Sequence, residues 1–297
     1  MDINERHSIA HDLEKDLRSI LWPIRAHEPD YVAKLVSELP RIITKTLSSN
    51  MPGRQIKVGG AFIHQKPLAH FINKTGYKDP ELGDLMIVCR EQRSMGPVYN
   101  AMLLQAKRTD TPLSAPIPKD HQFVLYTEWP EFEYKRAGYL NGKTRSVLPK
   151  TITQGAQYLL IYETKYVELL TATVDTPLSV SKYFSRTLAS ILSFDAGRTF
   201  QATNPRDDWS QMILDLLRLS AAAVFNRRRS GYVGANRWNG DSAFDYILNP
   251  DEQDKGIDND DILQYCDEEI DEAQPGMSII CIDLGISPRQ DKEPERN

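Results

Sequence analysis

The sequence predicts an α/β (α+β) fold, a mixed central sheet flanked by helices, on three observations. Strand-length apolar runs cluster in the first two-thirds of the chain. Helical periodicity brackets them on both sides. Two of the runs, GDLMIVCR and NAMLLQAKR, flank the turn signal Ser94-Met95-Gly96 and pair as an antiparallel hairpin, so the sheet is mixed. The 297 residues accommodate one large domain or a domain with a substantial appendage. The expected division is a core over 1–175 with N-terminal helices, and a helical extension over 176–297 that carries an acidic segment and a C-terminal strand and packs on the core.

Residues 4–24 read as a helix, because Ala10, Leu13, Leu17, Ile20, Leu21 and Ile24 keep helical spacing and Pro23 marks the end. Residues 29–48 read as a second, on the stripe Val32, Leu35, Val36, Leu39, Ile42, Ile43 and Leu47, with Pro40 predicting a kink or break near Leu39. After the turn Met51-Pro52-Gly53, QIKVGGAFIHQKPLAHFI gives one or two strands, with Gly59-Gly60 marking a bulge or a close backbone approach. The hairpin follows at 84–90 and 100–108. In the proline-rich stretch 109–150, DHQFVLYTEW reads as a short helix capped by Asp120, and EFEYKRAGYLNGKTRSVL as a small hairpin turning at Asn141-Gly142. QYLLIYE, 157–163, reads as a buried strand and KYVELLTATV as another. Helices are expected over 179–194 and 207–229. Asp207 and Asp208 open the second, and Arg227-Arg228-Arg229 then Gly231 close it. Residues 251–274 are strongly acidic, and MSIICIDL reads as a C-terminal strand.

Apolar content of 40% and charged content of 26% describe an ordinary globular protein. The N-terminus, MDINERHSIAHDLEKDL, has no apolar h-region, and no run approaches the ~20 apolar residues of a membrane span. Cys89, Cys266 and Cys281 form no CxxC pair and no metal quartet. A reducing cytoplasm and no membrane partner are therefore expected. The net charge of -5 argues against dominant non-specific nucleic-acid affinity. It leaves DNA open as a substrate, since local charge matters more than the sum. GxSxG, P-loop and GxGxxG motifs are absent from the sequence, so an energy-driven step calls for a separate NTPase or sensor partner.

The chemistry concentrates at one end of the hairpin. Asp84 opens the first strand, and Gln105 and Lys107, two apart on the second, share a face. Pairing centred near Met95 puts Asp84 opposite Ala106, with its carboxylate beside Gln105 and Lys107. Polar residues on the inner end of an apolar strand carry a desolvation cost, and function is a reason to tolerate it. An acid, an amide oxygen and an ammonium suit metal-dependent phosphodiester cleavage. Asp84 and Gln105 are oxygen ligands for Mg²⁺ (or Mn²⁺), and Lys107 steadies developing charge.

An acid opening one strand, with (D/E)xK on its hairpin partner, resembles the core of the PD-(D/E)XK nuclease superfamily, over residues 30–165. The second motif here is Gln105-Ala106-Lys107. Its glutamine departs from the usual acid, is similar to the QxK variant of Mrr-type restriction enzymes, and removes one negative charge from the metal site. The resemblance implies a restriction-endonuclease-like sheet, a metal-dependent DNA endonuclease core, and a prokaryotic restriction or antiviral defence setting, as effector or nuclease subunit. It also implies a glutamate from a helix before the first core strand, Glu38 or else Glu14. A polar residue from a helix after the second motif is implied too: Gln122, with Gln154 and Gln157 as fallbacks. Glu81 reads as a solvated loop charge.

Two other classes stay open: a binding or scaffold module with catalysis lost at Gln105, and a nuclease acting on RNA. Arg227, Arg228, Arg229 and Arg237, with Tyr232 and Trp238, are the residue types that contact phosphate and stack on bases. The competing reading is that these arginines complement a helix C-terminus. His64 and Lys66 read as packing residues or as phosphate contacts, and His64 and His70 lack a third zinc ligand. A homo-oligomer is also left open.

Overall fold

Eight strands form one mixed sheet in the order β1-β11-β3-β4-β7-β8-β9, with β10 paired to β4. The structure is a computed structural model that describes residues 1–64, 66–110, 120–173, 182–228, 238–249 and 275–286. Strands β1 (Lys57–Ala61), β3 (Leu85–Arg93), β4 (Gly96–Thr109), β7 (Ala156–Glu163), β8 (Val167–Ala172), β9 (Lys182–Tyr183), β10 (Arg198–Phe200) and β11 (Ser278–Ile286) build it. A second sheet of three strands pairs β5 (Phe132–Lys135) with both β2 (Leu68–Phe71) and β6 (Thr144–Arg145). The helices are α1 (Ile3–Arg18), α2 (Glu28–Asn50), α3 (His121–Glu128), α4 (Phe184–Leu192), α5 (Asp208–Arg228) and α6 (Gly240–Leu248).

Strand alternation divides the interior into two cores. Leu85, Ile87, Met102, Leu104, Leu159, Ile161 and Ile280 pack with α1, α2 and α4. Met86, Val88, Ala101, Leu103, Tyr158, Leu160 and Ile279 pack with α3, α5, α6 and the small sheet. Both faces of β3, β4 and β11 are covered, which is why they read as continuous apolar runs.

The expected strands and hairpin are present, with corrections of detail. The first helix stops at Arg18, and Ser19 caps it by donating both its N–H (3.1 Å) and its hydroxyl (2.7 Å) to the Asp16 carbonyl. A serine that bonds back to the backbone competes with helix continuation. Leu21 and Ile24, placed in the helix by spacing, are 89% and 81% exposed beyond it. Helix α2 runs unbroken through Pro40. Leu39, Ile42 and Ile43 are buried on either side of the proline, and this tertiary burial outweighs the lost hydrogen bond.

Gly59-Gly60 is a close backbone approach. A Cβ at Gly59 would stand 2.1 Å from the Ile247 carbonyl oxygen of α6, and one at Gly60 3.3 Å from the Val36 carbonyl oxygen that Pro40 leaves without its helical donor. The segment 132–145 pairs as expected, but a 3-10 turn at Gly138–Leu140 lies between its strands instead of a two-residue turn at Asn141-Gly142. Of the expected helix 179–194, residues 182–183 are strand and 184–192 are helix, while 179–181 lie outside the described residues. The C-terminal strand β11 is inserted between β1 and β3, parallel to β3. Among the described residues no helix is long and apolar enough to cross a membrane. Cys89 and Cys281 are free and buried.

Candidate active site

The hairpin register decides which side chains meet. Leu85 pairs with Leu104 and Arg93 with Gly96, so the turn is Ser94-Met95 and Asp84 lies opposite Gln105, not Ala106. The correction matters because a one-residue slip moves side chains to the other face. Directly opposed residues share a face, and Gln105 is on the face of Met86 and Leu103, toward α3 and α5. The Asp84 N–H closes the ladder by donating to the Leu104 carbonyl at 2.8 Å. Gly83 lets α3 approach here: a Cβ would lie 3.1 Å from the Tyr126 hydroxyl.

Asp84 is 4% exposed and its carboxylate is fully engaged. Oδ2 accepts from the Ala106 N–H at 2.7 Å and from the Gln105 side-chain amide. Oδ1 accepts from the Lys66 ammonium, which is itself 6% exposed. Lys66 also reaches Glu81 Oε2 at 3.2 Å, so one buried cation joins two carboxylates. Burial pulls the Lys66 amine down, but the charge and hydrogen bond of Asp84, then those of Glu81, outweigh it. Its pKa lies above the ordinary lysine value, and it stays an ammonium. Burial, then the charge of Asp84, holds the Tyr126 phenol well above its usual range, and its hydroxyl donates to the Leu82 carbonyl at 2.9 Å.

Lys66 is the site residue whose partner the sequence did not reveal. It lies in the irregular run between β1 and β2, where the residue before Pro67 is biased to extended backbone. The run is tied down on both sides. The Ile63 N–H donates to Ser278 Oγ (3.2 Å), that hydroxyl donates to the Ile63 carbonyl (3.1 Å), and the Leu82 N–H donates to the Pro67 carbonyl (3.1 Å). A lysine directly before a proline, between the apolar runs Ala61-Phe62-Ile63 and Pro67-Leu68-Ala69, was the available signal.

The other named residues divide. Lys107 is half-buried on the Gln105 face, and among the described residues its side chain makes no hydrogen bond or ion pair. Gln122 is buried on α3, one turn before Tyr126, and its amide nitrogen has no partner among the described residues. Glu38 is not brought to the cluster. It lies on α2, which packs on the other face of the sheet, and pairs with Lys34 (2.9 Å) and Arg41 (3.2 Å). Those hydrogen bonds hold its carboxyl below the usual range. Glu14, bonded to Arg18 and Ser185, is on that other face too, as is Gln157, while Gln154 is exposed. Arg227 and Arg228 are exposed at the end of α5, and Arg227 donates to the Phe62 carbonyl at 3.0 Å, beside the run that carries Lys66. Arg229, Tyr232 and Arg237 lie outside the described residues.

Among the described residues no group of three His, Cys, Asp or Glu forms a metal set. The donor chemistry at Asp84 nevertheless suits a divalent ion. An ionised carboxylate only accepts, so the Gln105 amide turns its nitrogen to Asp84 and leaves Oε1 buried without a partner among the described residues. The carboxylate and the amide oxygen are both hard oxygen donors, and turning the Gln105 amide over would bring the two together on one ion. The cation that balances Asp84 in this structure is Lys66. No family model, no curated protein and no solved structure matches the chain.

Proposed function

We propose that this chain is a metal-dependent endonuclease that hydrolyses phosphodiester bonds of DNA, on a restriction-endonuclease-like sheet. The observation that carries the reading is the buried Asp84 carboxylate at the end of the hairpin, bonded by the Gln105 amide whose Oε1 has no partner among the described residues, with Lys107, its side chain unpaired among the described residues, on the same face. Asp84 and Gln105 Oε1 would hold Mg²⁺ or Mn²⁺, with Glu81 next in reach through Lys66. When bound, the ion supplies an activated water and polarises the phosphate. Lys107 donates to the phosphate oxygens as charge builds, and Arg227 and Arg228 hold the backbone of the strand. Lys66 balances the charge of Asp84 in the metal-free protein and yields to the ion. A cytoplasmic restriction or antiviral defence role, with a separate NTPase or sensor, follows from the family resemblance.

The second reading is a scaffold that has lost catalysis. It is favoured by the complete engagement of both Asp84 oxygens by Lys66, Gln105 and the Ala106 N–H. Incubating supercoiled plasmid with Mg²⁺ or Mn²⁺ separates the readings. Wild type nicks it, and Asp84→Ala and Lys107→Ala lose at least a hundredfold in rate. Equal nicking by all three would remove the site. A wild type that neither nicks nor binds Mn²⁺ would establish the scaffold. Faster cleavage of a structured RNA than of plasmid would move the substrate class to RNA.

A further inference from the structure

A cavity of about 1010 Å³ opens on the face of the sheet opposite Asp84, between α1, α4 and the start of β7. Its size is that of a small-molecule site, where pockets of ~300–1,000 Å³ are the rule. The floor is polar and buried. Thr171 and Thr187 hydrogen-bond each other there. Gln157 is 8% exposed and lines the cavity, and its side-chain amide makes no hydrogen bond among the described residues. Its amide is not among the buried polar atoms left without a partner, so its donors and acceptor face the open cavity, where a ligand can reach them.

The rim adds charge of one sign. Its two carboxylates are already neutralised. Glu14 is held by Arg18 (2.7 Å) and the Ser185 hydroxyl (2.8 Å), and Asp195 by Arg6 and the Ser193 hydroxyl (2.7 Å). Lys182 and Arg186 also line the cavity and make no ion pair among the described residues. An unspent ammonium and guanidinium at the mouth fit phosphate. An amide that both donates and accepts, with the half-buried Tyr183 ring in the wall, fits a nucleobase.

We propose that this cavity binds a nucleoside phosphate, with Lys182 and Arg186 taking the phosphate and Gln157 the base. The site is separate from the Asp84 cluster and does not depend on the nuclease reading.

Calorimetric titration of the full chain with ATP, AMP and inorganic phosphate is the test, with circular dichroism as the folding control. ATP is expected to saturate one site at micromolar concentration. Lys182→Ala/Arg186→Ala, both at exposed positions, should weaken it at least tenfold, as should Gln157→Leu. Asp84→Asn should leave ATP affinity unchanged. No saturation below millimolar ATP, affinity unaffected in folded Lys182→Ala/Arg186→Ala, or inorganic phosphate binding as tightly as ATP would each overturn the proposal.

Discussion

At the residue scale the site is a question of which cation faces Asp84. Breaking a buried ion pair from one side leaves an uncompensated charge, at about 3–5 kcal/mol. Lys66→Met should therefore destabilise the metal-free protein by about that much in urea unfolding, and saturating Mn²⁺ should restore most of it. Gln105→Glu replaces the donor to Asp84 with a second buried anion. It should cost about 2 kcal/mol or more without metal, and should make the unfolding midpoint metal-dependent where the wild type responds weakly. The sequence showed Asp84, Gln105 and Lys107 as chemistry out of place on apolar strands. It did not show the partner of Asp84, because Lys66 lies outside any periodic element and is placed by contacts of Ile63 and Pro67, distant in sequence from the hairpin.

At the element scale, the hairpin, the second helix and the strands were legible because each carries its own period. The register was not, because the turn signal Ser94-Met95-Gly96 admits both a turn centred on Met95 and the two-residue turn Ser94-Met95, and only the ladder from Leu85–Leu104 to Arg93–Gly96 chooses between them. The far end of the hairpin is held by Glu91, bonded to Arg93 (2.8 Å) and Arg54 (3.1 Å). Burial raises this carboxyl, but the two arginine hydrogen bonds outweigh it and hold its pKa below the ordinary value. The folded pKa is depressed, so the stability it contributes is present above the unfolded carboxylate pKa and is lost as pH falls through the folded one. Glu91→Gln should flatten the acid limb of a stability–pH profile and leave its slope above neutral pH unchanged. Gly59→Ala tests the approach of β1 to α6. With 2.1 Å to a backbone oxygen the strand or helix must shift, at about 1–3 kcal/mol in urea unfolding.

At the scale of the whole molecule, the C-terminal strand closes what the N-terminal half begins. β11 lies between β1 and β3, so residues 275–286 join the β1 edge to the hairpin that carries Asp84. Local pattern identified the strand, but its parallel partner is distant in sequence, and only the assembled sheet reveals the insertion. Removing residues 275–297 should abolish cooperative thermal unfolding of the chain. Two polar centres stand on opposite faces of this sheet: the Asp84 cluster beneath α3, and the cavity under α1 and α4. The central claim is that Asp84 exchanges Lys66 for a divalent ion that serves hydrolysis. Mn²⁺ affinity read by electron paramagnetic resonance tests it most directly. Wild type should bind one ion weakly, Lys66→Met at least tenfold more tightly, and Asp84→Asn not at all. Equal affinity in the three proteins, or no binding by Lys66→Met, would contradict it.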